Sequence, residues 1–286
     1  MKSIKITEIK TEIKNLLIKA SFNLPEDIIS AVKSAIRGEI SENARIMLNY
    51  ILENEKIARR EILPLCQDCG TVYINLDIGP DICFEFDGNE RDFHSAINQV
   101  VGEVFNEYYL RKSIVSDPLY DRRNTSTNTP AIIYTNFIST PGLSIEVNIK
   151  GGGSENCSYL FMLNPSSTED NIIEKVLSVI KENVTKCCPP VIVGIGIGST
   201  ASEVVRLAKK ASFRELNVRN SDPRYADLEQ EILTKVNETG IGPQGLVGRT
   251  TALACNIEFA PCHMATLPLA VFLGCHSTRR AKKFIS

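Results

Sequence analysis

The stretch VIVGIGIGSTASEVVRLAKKA, at residues 191–211, decides the fold class. It begins with a short apolar run, VIVGI, which is typical of a buried strand. The glycine-rich GIGST follows, and the chain then changes to a helical pattern at about 199–211. Thr200 and Glu203 stand at the spacing of a capping box, which marks the start of that helix. The stretch therefore predicts a strand that opens through a glycine turn into a helix.

Helical and extended patterns alternate on both sides of this stretch. Helices are predicted at about residues 27–36, 41–62, 91–111, 171–185 and 224–238, and strands at about 72–78, 131–137, 143–150 and 250–259. Such alternation indicates an α/β class, here mixed α+β, with a helical N-terminal region followed by mixed sheets flanked by helices. No proline- or serine-rich linker divides the chain. We therefore predict one domain over residues 1–286, with a helical part at about 1–62 and a mixed α/β part at about 63–286.

The composition is that of an ordinary globular protein, with 43% hydrophobic and 23% charged residues. The net charge of −2 gives no general attraction to nucleic acid or to an anionic membrane. No apolar run approaches the roughly 20 residues that span a bilayer. The N-terminus also lacks the continuous apolar segment of a signal peptide. We therefore expect a cytoplasmic protein with no nucleic-acid or membrane partner.

Nine cysteines are the unusual feature of this composition. Disulfide frameworks are rare in a reducing compartment, so the cysteines are either buried apolar side chains or metal ligands. Cys66 and Cys69 form a C-x-x-C motif, but it precedes a predicted strand, whereas a thioredoxin-like motif follows one. No second paired motif completes a zinc site, and Cys187 and Cys188 are adjacent. A non-catalytic zinc or redox module nevertheless stays open as an alternative.

Two further segments contain groups suited to chemistry. Lys150 and the three glycines that follow it end a predicted strand, where backbone N–H groups can approach an anion closely. A flexible turn is an equally good interpretation of these residues. His263 is one of three histidines, the residue type most often used in acid–base catalysis, and it is therefore a candidate for that role. The glycines at 194–198 lack the spacing of a dinucleotide fingerprint, which favours a simple packing role.

Five segments, in order along residues 64–280, resemble the class I (iron–sulfur) fumarate hydratase and L(+)-tartrate dehydratase family. PLCQDCGTV at 64–72 resembles the family's PxCQDTG segment, and IKGGGSENCS at 149–158 resembles its KGGGSEN segment. The other three are similar to the family's CPP–strand–glycine–helix segment and to its last two motifs. They are CPPVIVGIGIGSTASEVVRLAKKA, GIGPQGLVGRTTAL and IEFAPCHMATLPLAV, the last followed by Cys275 and His276.

The resemblance implies a [4Fe-4S] cluster that is held by three cysteines and has one iron open to substrate. By position, the ligands would be Cys66, Cys188 and Cys275. Thiolates are the ligands that such clusters take. An open iron acts as a Lewis acid on a substrate hydroxyl. The sequence departs from the family at Cys69, where threonine is usual, and the resemblance implies structural roles for the six remaining cysteines.

The resemblance also implies an acid–base pair and an anion site. Asp68 and His263 would exchange the hydroxyl proton of the substrate. A dicarboxylate requires cationic and N–H donors. The substrate-binding residues by position would be Arg111, Lys150, Gly152 and Gly153.

The resemblance finally implies a partner and a substrate. Single-chain members continue into a second domain, so a separate β subunit is expected, in an α2β2 assembly. Fumarate, hydrated reversibly to (S)-malate, is the favoured substrate, and tartrate dehydrated to oxaloacetate is the alternative. These substrates differ by one hydroxyl, and the motifs indicate the family more securely than the substrate.

Overall fold

The structure, a computed structural model, describes residues 1–88 and 92–286. Its α-helices, in chain order, are α1 (Ile6–Phe22), α2 (Glu26–Gly38), α3 (Glu42–Glu61), α4 (Phe93–Glu107), α5 (Gly152–Glu155), α6 (Glu169–Asn183), α7 (Ala201–Phe213) and α8 (Pro223–Glu238). Its strands are β1 (Lys2–Lys5), β2 (Thr71–Ile78), β3 (Ile82–Glu85), β4 (Ile132–Phe137), β5 (Leu143–Lys150), β6 (Ser158–Leu163), β7 (Val191–Gly198), β8 (Ala252–Ala260), β9 (Leu267–Gly274) and β10 (Arg279–Ile285). Helices that alternate with mixed sheets confirm the predicted fold class.

The described chain forms two compact units, and neither is one continuous stretch. Unit 1 consists of Met1–Pro25, Ile57–Gly152 and Arg279–Ser286. Unit 2 consists of Glu26–Lys56 and Gly153–Thr278. That all residues belong to one domain stays a prediction. None of the described helices has the length and apolar character needed to cross a bilayer.

Unit 1 is built on a four-stranded sheet with the strand order β10–β5–β2–β4. Strands β2 and β4 are parallel, and β5 runs antiparallel to both β2 and β10. The strand predicted at 143–150 is confirmed as β5, and its apolar residues Leu143, Ile145 and Val147 are fully buried. They share one hydrophobic core with apolar residues of α1 and α4. Burying each such side chain contributes about 1.5–3 kcal/mol, so this apolar face is a main source of the stability of unit 1.

Unit 2 is built on a second sheet with the strand order β6–β9–β7–β8. Apolar residues of α6 and α8 share a core with this sheet, whereas α7 contributes to a separate cluster with Ala270 and Phe272 of β9. All eight residues of β7 are buried. Helices cover both faces of this sheet, so side chains on both sides of β7 are buried. This is why the sequence of β7 is a continuous apolar run.

The glycines of β7 belong to the strand, so the predicted turn at GIGST is wrong in its extent. The strand continues to Gly198, and the turn is limited to the next two residues. A Cβ on Gly194 would lie 2.3 Å from the carbonyl oxygen of Ala208, and one on Gly196 would lie 2.2 Å from that of Val204. These glycines therefore let α7 lie directly on the strand, which is the packing role that the sequence favoured.

We expect Gly196→Ala to lower the free energy of unfolding by about 1–3 kcal/mol, because the added methyl group overpacks the β7–α7 contact. Urea denaturation of wild type and variant would measure the shift. Gly38→Ala is a matched control, since a Cβ on Gly38 meets no atom within 4 Å. Equal unfolding midpoints for Gly196→Ala and wild type would contradict the packing role.

Candidate active-site residues

In unit 1, the C-x-x-C segment forms a turn between α3 and β2, directly before the strand that was predicted to follow it. The carboxylate of Asp68 accepts two backbone hydrogen bonds there. Its Oδ1 accepts from Gly70 N at 3.0 Å, and its Oδ2 accepts from Gly152 N at 2.6 Å. Asp68 therefore joins the turn to the glycine segment that follows β5.

The glycine segment approaches this turn closely. A Cβ on Gly151 would lie 2.9 Å from Asp68 Oδ2, and one on Gly70 would lie 2.6 Å from the carbonyl oxygen of Lys150. Side chains at these two positions would therefore push the segments apart. Lys150 itself is only 3% exposed, so its side chain is buried.

Arg111 lies against the same turn, four residues after the end of α4. Its backbone N–H donates to Cys69 Sγ at 3.2 Å, and its Nη1 donates to Gln67 Oε1 at 2.9 Å. The structure thus brings together three of the predicted residues, Asp68, Arg111 and Gly152, within unit 1.

Arg279 is a residue of this region that the sequence interpretation missed. It begins β10 and is 2% exposed, and its Nη2 lies 3.6 Å from the Cβ position of Gly151. Its buried Nε has no hydrogen-bond partner among the described residues. The sequence did not predict strand β10, so nothing in the sequence indicated that Arg279 would be buried.

In unit 2, Cys188 and Cys275 belong to neighbouring segments. Cys188 is exposed, follows a short 3-10 helix and has a left-handed backbone with φ of 51°. Cys275 is half-buried at the end of β9. The ring of His276 connects the two segments, because its Nδ1 donates to the carbonyl oxygen of Cys188 at 2.9 Å. Its Nδ1–H tautomer follows from that bond, and burial lowers the pKa of the ring.

The two adjacent cysteines face different surroundings. Cys187 is 1% exposed, and its thiol donates to the carbonyl oxygen of Leu273 in the core at 3.2 Å. Cys188 is exposed at the surface of unit 2. This difference favours Cys188 over Cys187 as a ligand.

The burial of the remaining cysteines is uneven. All nine cysteines are reduced thiols, and four of those not predicted as ligands are buried, namely Cys69, Cys157, Cys187 and Cys255. Burial raises the pKa of the Cys69 and Cys255 thiols, which keeps them protonated and poor metal ligands. Cys83 and Cys262 are exposed, so burial does not account for them.

His263 lies in unit 2, on the exposed loop between β8 and β9. Its Nδ1 accepts the backbone N–H of Ala265 at 3.1 Å, and its carbonyl oxygen accepts that of Thr266 at 2.9 Å. Because Nδ1 is an acceptor, the neutral ring carries its proton on Nε2. Any proton exchange with another group therefore takes place at Nε2.

The donor chemistry of the predicted ligands fits an iron–sulfur cluster. Cys66 and Cys275 are half-buried and Cys188 is exposed, so all three thiols are accessible, as ligands must be. Cys66 belongs to unit 1, and Cys188 and Cys275 belong to unit 2. Within either unit, the described residues contain no group of three or more His, Cys, Asp or Glu side chains placed to hold a metal ion.

Comparison with known proteins gives one family. The model of the fumarate hydratase (Fumerase) family matches residues 10–283. A Methanocaldococcus jannaschii protein, provisionally named L(+)-tartrate dehydratase subunit alpha, is 39% identical over 98% of this chain and 98% of its own length. The L(+)-tartrate dehydratase subunit alpha of Escherichia coli K12 is 29% identical over 96% of this chain and 89% of its own length.

Proposed function

We propose, because this chain belongs to the class I fumarate hydratase family, that it is the α subunit of an iron–sulfur enzyme that hydrates fumarate reversibly to (S)-malate. The chain is a hydro-lyase, as its family and its relatives show. The proposal rests on the hydrogen bond between Asp68 and Gly152, which lies in the same turn region as Arg111. It joins a carboxylate, an arginine and a glycine segment, which are the groups that dicarboxylate chemistry needs.

The acid–base roles follow from the hydrogen bonds of each group. We assign proton exchange with the substrate to Asp68 and His263. Two backbone N–H groups fix the Asp68 carboxylate, so little reorganisation is needed when it acts. His263 presents Nε2–H as its donor, since Ala265 occupies Nδ1. Asp68 and His263 thus handle the protons only, and activation of the hydroxyl group as a leaving group is the role proposed for the cofactor.

A [4Fe-4S] cluster would be held by the thiolates of Cys66, Cys188 and Cys275. When bound, such a cluster supplies a Lewis acid, which makes hydroxide a better leaving group. The hydrogen bond between His276 and the carbonyl oxygen of Cys188 supports this set, because it connects the Cys188 and Cys275 segments of unit 2.

The anion site would be formed by Arg111 and Lys150 with the N–H groups of Gly152 and Gly153. Arginine binds a carboxylate through two parallel hydrogen bonds, which fixes the orientation of the substrate. Lys150, which is buried, would add a cationic group to this site. In the structure, the Gly152 N–H donates to Asp68, so any contact between this group and substrate would be shared with the carboxylate.

L(+)-tartrate is the second candidate substrate, and dehydration would convert it to oxaloacetate. The names of the Methanocaldococcus jannaschii and Escherichia coli relatives favour it. The same names, as alpha subunits, support a β-subunit partner, for which we propose an α2β2 assembly. We also propose a cytoplasmic location, where reduced thiols persist.

The deciding experiment combines this chain with its β subunit in the absence of oxygen. Fumarate hydration and tartrate dehydration would be assayed side by side on the same preparation. We expect fumarate to be the better substrate by kcat/KM and the isolated chain to bind iron with almost no turnover. If only tartrate is converted, tartrate replaces fumarate as the substrate. Full activity of the isolated chain would refute the need for a β subunit.

We expect Arg111→Met to raise the KM for the dicarboxylate by about 10- to 100-fold, because a charged hydrogen bond contributes about 1.5–3 kcal/mol. Steady-state kinetics of the αβ complex would measure it. Arg45→Met is a control, since Arg45 is an exposed arginine of unit 2. An unchanged KM in the Arg111 variant would remove this residue from the anion site.

A further inference from the structure

We propose that Cys69 and Asn128 are positioning residues that together hold Arg111 in place for carboxylate binding. This inference rests on the proposed function and names the groups that set its anion site. Arg111 follows α4 and precedes a polar stretch, so no helix or strand fixes its backbone. Its position must therefore come from other contacts.

Cys69 supplies the first of these contacts. Its thiol is 4% exposed, and its sulfur accepts the backbone N–H of Arg111 at 3.2 Å. The same thiol lies 3.8 Å from the carbonyl oxygen of Cys66, to which it donates. A neutral thiol can donate through its S–H and accept at its sulfur at once, so Cys69 can make both contacts together. Cys69 thus connects Arg111 to the turn that contains Cys66 and Asp68.

Asn128 supplies the second contact. Its side chain is fully buried, its Oδ1 accepts the N–H of Ser113 at 2.7 Å, and its Nδ2 donates to the carbonyl oxygen of Gly70 at 2.9 Å. Its backbone is left-handed, with φ of 59°. Asn128 therefore connects Ser113, two positions after Arg111, to Gly70, which directly follows Cys69.

The two contacts act on a segment that is otherwise exposed. Arg111 is itself exposed, and so are most residues from Ser116 to Asn124. Small errors in the position of a binding group are costly, since a displacement of about 1 Å can reduce a rate about 100-fold. A buried thiol and a buried amide that both contact this segment would prevent such displacement. Gln67 adds a third contact to the guanidinium group.

The test uses four variants of the αβ complex. Cys69→Ala removes the acceptor for Arg111, whereas Cys69→Ser keeps one. Asn128→Gly removes both side-chain hydrogen bonds and accepts the left-handed backbone without strain. Cys255→Ala is the matched control, because it removes a buried thiol of β8 in unit 2. The readouts are kcat, KM, iron content and the Kd of succinate, a dicarboxylate that cannot react.

We expect Cys69→Ala and Asn128→Gly to raise KM and the succinate Kd by about tenfold, with kcat and iron changed far less. Cys69→Ser should stay near wild type, and Cys255→Ala should not change either affinity. In an Arg111→Met background, Cys69→Ala should have no further effect on KM, because the guanidinium group that Cys69 positions is already absent. A purely structural role predicts equal losses in both backgrounds.

Unchanged KM and succinate affinity in Cys69→Ala and Asn128→Gly would overturn the inference, and so would additive effects with Arg111→Met. Failure of the proposed function gives a different result, namely wild-type protein that turns over neither fumarate nor tartrate. The positioning role is then judged on succinate affinity alone, which does not require turnover.

Discussion

Cys66→Ser, Cys188→Ser and Cys275→Ser are each expected to remove the bound iron and to lower kcat by about 1,000-fold or more. Serine is a far weaker ligand for this type of cluster than a thiolate. Loss of any one of the three thiolates should release the group that acts on the hydroxyl. Iron and acid-labile sulfide analysis of protein purified without oxygen, together with kcat of the αβ complex, would measure both effects.

Two neighbouring cysteines provide the controls for this series. Cys69→Ser keeps a hydrogen-bond acceptor for Arg111, and Cys187→Ser changes the residue directly before Cys188. Both should retain iron, although Cys187→Ser should be less stable, since its thiol lies in the core. A zinc or redox module predicts the opposite, with Cys66→Ser and Cys69→Ser equally damaging. Zinc without sulfide in the anaerobic protein would therefore contradict the cluster.

His263→Gln and Asp68→Asn are expected to lower kcat by about 100- to 10,000-fold while iron is retained, because each removes a proton-transfer group. His263→Gln is the cleaner variant, since the histidine lies on an exposed loop and its loss should affect folding little. The two kcat values and the iron content would be determined on the same preparations. Wild-type kcat in His263→Gln would exclude proton transfer at this ring.

Asp68→Asn has a second expected effect, on stability. Its carboxylate accepts the N–H groups of Gly70 and Gly152. An amide can accept only one of them, and the other N–H then faces a donor. The cost of such an unsatisfied group is about 1–3 kcal/mol. Thermal unfolding therefore separates this structural loss from the loss of kcat.

The sequence predicted those elements whose patterns are local. The helix α4 and the strand β5 were each predicted from the residues of one stretch of chain, and both are confirmed. Strands β6 and β9 were not predicted, although they pair with each other. β10 was missed as well, because RRAKKFI is rich in basic residues and pairs with β5, which lies more than 120 residues earlier.

The same distinction applies to the candidate site. Asp68 and Lys150 were predicted because each lies in a motif, and Arg111 was predicted from its position in the family resemblance. In the structure, all three lie around one turn. Arg279 and Asn128 were missed, since the role of each depends on contacts with distant parts of the chain. A buried asparagine in a polar, turn-rich stretch looks like any exposed loop residue until its partners are known.

The strand order of unit 1 has a consequence for how this protein is made. β10 pairs along its whole length with β5, yet all of Gly153–Thr278, which belongs to unit 2, is synthesised between them. The edge of β5 therefore stays unpaired until the ribosome has released residue 285. Unpaired edges are where nascent chains associate with one another. Expression at low temperature or with chaperones should accordingly improve the yield of this chain more than that of a protein whose sheets form from consecutive strands.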